Sequence, residues 1–186
     1  MNIFKTSERN EWRDYLSAHF ESLSEVWFVF PTKDSGEAGL SYNDAVEEAL
    51  CFGWIDSTNR RLDEFHCIRR FTPRMAGSPY SQPNIERLIW LDAQGLIHPK
   101  IREGVLPVIR APFVFPADIM EALRQDEAVW EQYQRFSDPY KRIRVAYIEA
   151  ARKRPEEFQK RLSSFMEKTR RGKLITGYGG VDKYYR

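Results

Sequence analysis

"CFGWIDSTNRRLDEFHCIRRFTPR", Cys51 to Arg74, is the stretch on which the reading of the fold turns. Gly53 offers a helix stop, because glycine accepts a left-handed backbone without steric cost. Trp54 to about Arg61 and His66 to Thr72 then read as two strands, joined by a tight turn near Asp63–Glu64. The hairpin carries Arg60–Arg61 and Arg69–Arg70, with Arg74 just beyond. Neighbours on a strand point to opposite faces. Trp54, Asp56, Thr58 and Arg60 therefore share one face of the first strand. On the second strand Ile68, Arg70 and Thr72 share one face, while Cys67, Arg69 and Phe71 share the other. One arginine of each pair must meet the more buried side, where an unpaired guanidinium is costly.

Two readings stay open. In the first, Asp56 and Arg70 form a structural ion pair beside Trp54. In the second, Arg60, Arg70 and Arg74 converge on an anion, for which forked guanidinium donors are suited. The following loop "RMAGSPYSQPN", residues 74–84, brings Ser78, Tyr80, Ser81 and Asn84 to a helix N-terminus. Free backbone donors there can hold an anion, or Ser81 or Asn84 can simply cap the helix. The candidate ligand-binding set is thus Trp54, Asp56, Arg60, Arg70, Arg74, Ser78 and Asn84. Arg70 is expected inward and at least half buried, Arg69 in solvent, and Arg74 at the mouth of a cleft with Asn84 opposite.

Outward from the hairpin, Ser7 can cap a helix over 8–20 whose Trp12, Tyr15, Leu16 and Phe20 recur at helical spacing. His19 falls on that apolar face. "EVWFVFP", residues 25–31, reads as a strand. Ser41, with Asp44 three residues on, opens a helix over 41–52 that turns Ala45, Val46, Ala49 and Leu50 inward. After residue 80 the pattern is helical. One helix runs from Pro83 to Gln94 and stops at Gly95. A weaker one starts at Pro99 and is interrupted at Pro107. "APFVFP", residues 111–116, is a linker. Further helices start near Pro116, Asp126 and Tyr140, and a last one runs from Pro155 to Gly172. The expected fold class is α+β: a small, mostly antiparallel sheet with packed helices over 1–112, a helical unit over 113–173, and a tail over 174–186. Trp54, Phe71 and Leu50, and then Trp130, Tyr147 and Phe165, are the expected core. "GYGG", residues 177–180, reads as flexible tail by position.

Composition narrows the function classes. With 42% hydrophobic residues, the chain can bury a real core rather than stay disordered. The net charge of +2 hides a gradient: residues 1–53 sum to −6, residues 54–110 to +3 and residues 111–186 to +5. Arg135 to Lys173 alone carries +8, which favours anionic partners without specifying one. Arg152, Lys153, Arg154, Lys160, Arg161, Arg170 and Arg171 could track a phosphate backbone, although like-charge runs are commonly just solvated helix faces. Nucleic acid is therefore a possible partner but not the favoured one.

Two cysteines, Cys51 and Cys67, cannot build a disulfide framework or a cysteine-rich zinc site, and read as buried reduced thiols. His19, His66 and His98 lack ligand spacing, so no metal is expected. There is no dinucleotide or phosphate-loop glycine pattern and no nucleophile elbow, so no cofactor is expected either. The first residues turn charged before an apolar run forms, and no segment reaches the ~18 apolar residues of a membrane span. The expectation is a cytoplasmic protein without membrane insertion.

Two long motifs carry a resemblance. "SYNDAVEEALCFGWID" is followed by a strand, then "RFTPR", a Gly-Ser loop and an asparagine before the next helix. Further on stands "FSDPYKRIRVAYIEAARKRPEEFQKRLSSFMEKTRRGK". Together, from about Leu40 to Lys173, they resemble the YdeI/OmpD-associated family, the bacteriocin-protection proteins. Tyr80 stands where that family usually has tryptophan, and "LITGYGGVDKYYR" is an addition. The resemblance implies a small binding or adaptor protein, with a small anion or a protein as partner, acting in envelope-stress or bacteriocin tolerance. The residues leave two alternatives: a nucleic-acid binder using the basic helices, or an enzyme on a phosphorylated or carboxylated substrate with Asp56 as base.

Overall fold

The computed structural model describes residues 1–177 and 180–185. The chain divides into two compact units, residues 1–80 with 87–109, and residues 81–86 with 110–186. A mixed sheet and eight helices among the described residues make it α+β.

The first unit is organised by a four-stranded sheet in the order β1-β2-β4-β3. Its strands are β1 (Ile3–Phe4), β2 (Val26–Pro31), β3 (Trp54–Arg61) and β4 (His66–Pro73). β1 runs parallel to β2, and the other two pairings are antiparallel. The sequence pattern misses β1, because two residues are too few to show alternation. Between β3 and β4, Asp56 lies across from Phe71 while Asn59 lies across from Arg69, so β3 carries an irregularity between them. An extra residue in a strand flips every side chain beyond it to the other face.

Helices α1 (Arg9–His19) and α2 (Tyr42–Cys51) contribute to one core with β2, β3 and β4. Trp12, Leu16, Phe28, Leu50, Trp54 and Phe71 are fully buried there. The Trp12 indole donates to the Ala45 carbonyl at 3.1 Å, tying α1 to α2. The α2 start follows the capping pattern: Ser41 accepts from the Asp44 amide at 3.1 Å and donates to its carboxylate at 2.6 Å. Gly53, at φ +73°, follows the end of α2 and turns the chain into β3. α1 departs from expectation at its start. Glu8 is the capping residue and Ser7 instead donates to the Glu8 carboxylate. His19 is exposed rather than core, with its ring 4.7 Å from Tyr15.

Two buried glutamates, Glu47 and Glu48, sit on α2. Arg9 reaches Asp44 and Glu48 at 2.8 and 2.5 Å, and Arg13 reaches Glu48 at 2.7 Å. Glu47 Oε2 lies 2.9 Å from Arg9 Nη2 and completes the ion-pair cluster. Burial pushes the neighbouring Cys51 thiol up to about 12, with the Glu48 charge adding to it, which makes it an inert core thiol. α3 (Gln82–Ala93) and α4 (Pro99–Arg110) follow, with Leu88, Leu91 and Val105 in the same core. α4 runs through Pro107 instead of breaking there. Proline removes one amide donor and crowds the preceding turn, and near the helix end few bonds remain to be lost.

In the second unit, α5 (Ala117–Arg124) packs on α6 (Glu127–Arg135), and α8 (Pro155–Arg170) packs on α6 and α7 (Asp138–Glu149). Ile119, Leu123, Tyr140, Val145 and Phe165 form its interior. Trp130 is only half-buried, stacked on Tyr133, and Tyr147 is 38% exposed. Tyr147 was expected inside, but Tyr140, Arg144 and Ile148 take the inward positions of α7. Within this unit Glu86 is buried under Arg142, whose Nε and Nη2 reach its two oxygens at 2.6 and 2.8 Å.

The segment after residue 173, read as a tail, is docked where it is described. The Ile175 amide donates to the Tyr140 hydroxyl at 3.0 Å, and Val181, Tyr184 and Tyr185 are buried. In the "GYGG" run, Tyr178 and Gly179 lie outside the described residues. Among the described residues no helix is long and apolar enough to cross a membrane.

Candidate functional site

The hairpin does not assemble the expected cluster. Asp56 shares its face with Phe71, so the arginine on its side is Arg69, which donates from Nη1 to Asp56 Oδ2 at 2.6 Å. The Tyr42 hydroxyl donates to the same oxygen at 3.0 Å, and the Arg69 guanidinium lies 4.4 Å from the Tyr42 ring centre. Burial, reinforced by the Asp56 charge, pushes the Tyr42 hydroxyl up to about 12, so it remains a donor. Asp56 is an acceptor already engaged by two donors, which leaves it ill-placed as a base.

Arg70 takes the opposite face and pairs with Glu25 at 2.6 Å, correcting the Asp56–Arg70 expectation. The Arg70 hydrogen bond is also the main cause that holds the Glu25 carboxyl below its usual range. Arg60, flipped by the irregularity in β3, lies over the Trp27 ring at 5.1 Å instead of joining Asp56. Trp54 is buried and its indole donates to the Phe20 carbonyl at 3.1 Å, so it is a packing residue.

Arg74 folds back on its own loop. Its Nη2 donates to the carbonyls of Ser78 and Pro79 at 3.0 and 3.1 Å, and its guanidinium stacks 3.7 Å from the Tyr80 ring centre. Ser78 thus meets Arg74 through its backbone. Asn84 belongs to the second unit, where its amide donates to the Ser81 carbonyl at 2.9 Å.

The basic helices of the second unit are largely neutralised. Arg152 pairs with Asp118 and Glu149, Arg170 with Asp126, and Arg171 with Glu167. Arg161 pairs with Glu157 at 2.7 Å, donates to the Tyr147 carbonyl and lies 3.9 Å over the Tyr147 ring. Among the described residues, Lys153, Arg154 and Lys160 form no ion pair, although the charges of Lys160 and Arg154 act on Glu157.

One arrangement in this unit stands apart. Among the described residues, a cavity of about 390 Å³ is lined by Arg144, Tyr147, Ile148, Lys160, Ser164 and Phe165, and also by Glu157, Arg161 and residues 175–177. Arg144 is 5% exposed. Its Nη2 donates to the Ile175 carbonyl at 2.5 Å and to the Tyr185 hydroxyl at 2.8 Å, and its Nε is buried without an acceptor. Among the described residues no carboxylate forms an ion pair with it; Asp182 accepts from the Gly177 amide at 2.7 Å and acts on the Tyr185 hydroxyl. Arg144 also lies 5.6 and 5.8 Å from the ring centres of Tyr140 and Tyr185. A buried guanidinium held by neutral groups alone retains a full charge in need of an anion. The sequence reading missed this residue. The available signal was helical spacing, since Tyr140, Arg144 and Ile148 recur every four residues and put an arginine on an apolar stripe.

Comparison with known proteins separates the two parts of the chain. Residues 4–103 match a family described as "Domain of unknown function (DUF8412)". Residues 112–172 match the family described as "Bacteriocin-protection, YdeI or OmpD-Associated". The second match begins well beyond Leu40, so the motif around "EEALCFGWID" falls within the first. No curated protein and no solved structure matches the chain. By the first match, which takes in more than half of its length, and by the second, which takes in α5 to α8, the chain belongs to the DUF8412 family and carries a YdeI/OmpD-associated domain.

Proposed function

We propose that this YdeI/OmpD-associated protein binds a small anion non-enzymatically, in the cavity beside Arg144, and acts through that binding in bacteriocin or envelope-stress tolerance. The observation that carries the reading is Arg144 itself: nearly fully buried, lining a cavity, and unpaired with any carboxylate among the described residues. Lys160, on the same cavity and in no ion pair among the described residues, supplies a second cation. The hairpin arginines do not offer this, because Arg69 and Arg70 are spent on Asp56 and Glu25. The ion pairs of Arg152, Arg161, Arg170 and Arg171 likewise weigh against a phosphate-tracking surface.

The test is thermal melting in rising phosphate or sulfate, with chloride holding ionic strength constant. A ligand of the native state raises stability by mass action, so a saturable rise in Tm is expected. Lys160→Gln, at an exposed position, should weaken it, and Arg144→Lys should shift its midpoint. Equal melting in all salts, for wild type and variants alike, would remove the reading.

A further inference from the structure

Resting on the anion-binding reading, we infer that the cavity is built for an organic dianion with a compact apolar body, of the phosphomonoester kind, rather than for a bare inorganic ion. Charge sets the head group. Among the described lining residues, Arg144, Lys160 and Arg161 stand against the single carboxylate of Glu157, a net charge of +2. That charge is balanced by one doubly charged group. The Ser164 and Thr176 hydroxyls on the same wall supply further donors to its oxygens. Arg144 Nη2 already donates to Ile175 and Tyr185, so it cannot give a free pair of Nη donors, while its unengaged Nε keeps one donor. Contacts from two separate cations and two hydroxyls suit a tetrahedral dianion, with three terminal oxygens diverging, better than a carboxylate with one charge and two oxygens.

The rest of the lining sets the body. The apolar surface open to the cavity belongs to Tyr147 and Ile175, because Ile148 and Phe165, each 1% exposed, are already packed beneath it. A hydrated inorganic ion would leave that apolar wall against water. An apolar substituent on the phosphate would cover it, and the volume of about 390 Å³ lies in the range of small-ligand pockets. One face of the Tyr147 ring is taken by Arg161, which also lines the cavity.

The experiment is calorimetric titration of the full chain with three probes: phenyl phosphate, inorganic phosphate and benzyl alcohol. Phenyl phosphate should bind about tenfold or more tighter than inorganic phosphate, the gain expected from covering a ring. It should weaken at least several-fold in Lys160→Gln, and benzyl alcohol should bind barely or not at all. Equal affinity for phenyl and inorganic phosphate would overturn the organic-body inference and leave the anion reading standing. Benzyl alcohol matching phenyl phosphate, with Lys160→Gln indifferent, would overturn both, as would absence of binding by all three. Because Lys160 is exposed, its variant keeps the test decisive even if Arg144 variants fail to fold.

Discussion

Arg69 Nη1 and Asp56 Oδ2 stand 2.6 Å apart on the helix-covered side of the sheet, and Arg70 stands on the other side with Glu25. The Asp56 side chain is only 13% exposed, so removing its partner leaves a poorly solvated carboxylate. Arg69→Ala should therefore cost about 1–3 kcal/mol. Arg70→Ala breaks a more exposed pair and should cost less than about 1 kcal/mol. Urea denaturation of both variants decides it, and the reverse order of midpoints would contradict the register.

Trp54 and Tyr147 give a second contrast. Trp54 is buried and hydrogen-bonded to the Phe20 carbonyl, so Trp54→Ala should cost about 3–5 kcal/mol. Tyr147 is well exposed and packs mainly against Arg161, so Tyr147→Ala should cost about 1 kcal/mol or less. Equal losses in the two variants would mean that α7 is turned differently.

Gly53 and Gly77 share nearly the same left-handed backbone, at φ +73° and +77°. Both alanine variants pay the conformational cost of roughly 1–2 kcal/mol. At Gly77 a Cβ meets open space, whereas at Gly53 it would come 2.9 Å from Ile101 Cδ1. Gly53→Ala should thus be the more destabilised. Ile101→Ala in the same chain should recover part of the difference, and its failure to do so would point away from that contact.

His66 makes stability depend on pH. Its Nδ1 lies 2.9 Å from Asp63, its Nε2 lies 3.3 Å from Glu37, and Lys5 at 3.2 Å works against the charge. The Asp63 hydrogen bond, followed by that from Glu37, raises the imidazole above its usual value. A raised folded value means that the stabilisation is complete below the unfolded value of about 6.5 and is lost as pH rises through the folded one. The Tm gap between wild type and His66→Gln should narrow as pH is raised across that window. A gap that widens instead would mean the neutral ring is the stabilised form.

The elements were legible where pattern and punctuation agree. β2, β3 and β4 follow from β-branched and aromatic runs bounded by Pro31, Gly53 and the turn at Asp63, and α2 follows from Ser41 and Asp44. The hairpin partners were not legible. Alternation tells which residues share a face within one strand, but not which face of the neighbouring strand joins them. That depends on the pairing of Asp56 with Phe71 and on the irregularity before Asn59, neither of which leaves a mark in composition. Arg144 escaped for a different reason. Two residues from Arg142, it looks like one more charge in a basic helix until burial separates it from Arg152 and Arg161.

The order β1-β2-β4-β3 leaves two strands with open backbone, and each is defended against aggregation differently. β1 is two residues long, too short to template a second chain. β3 is eight residues long, but it is kinked between Asp56 and Asn59, and residues 57–61 are an exposed Ser-Thr-Asn-Arg-Arg run. A neighbouring molecule seeking to extend the sheet there would meet a distorted ladder and two like charges on every copy. Arg60 and Arg61 thus act on encounters between molecules, keeping an otherwise adhesive border from recruiting its own kind.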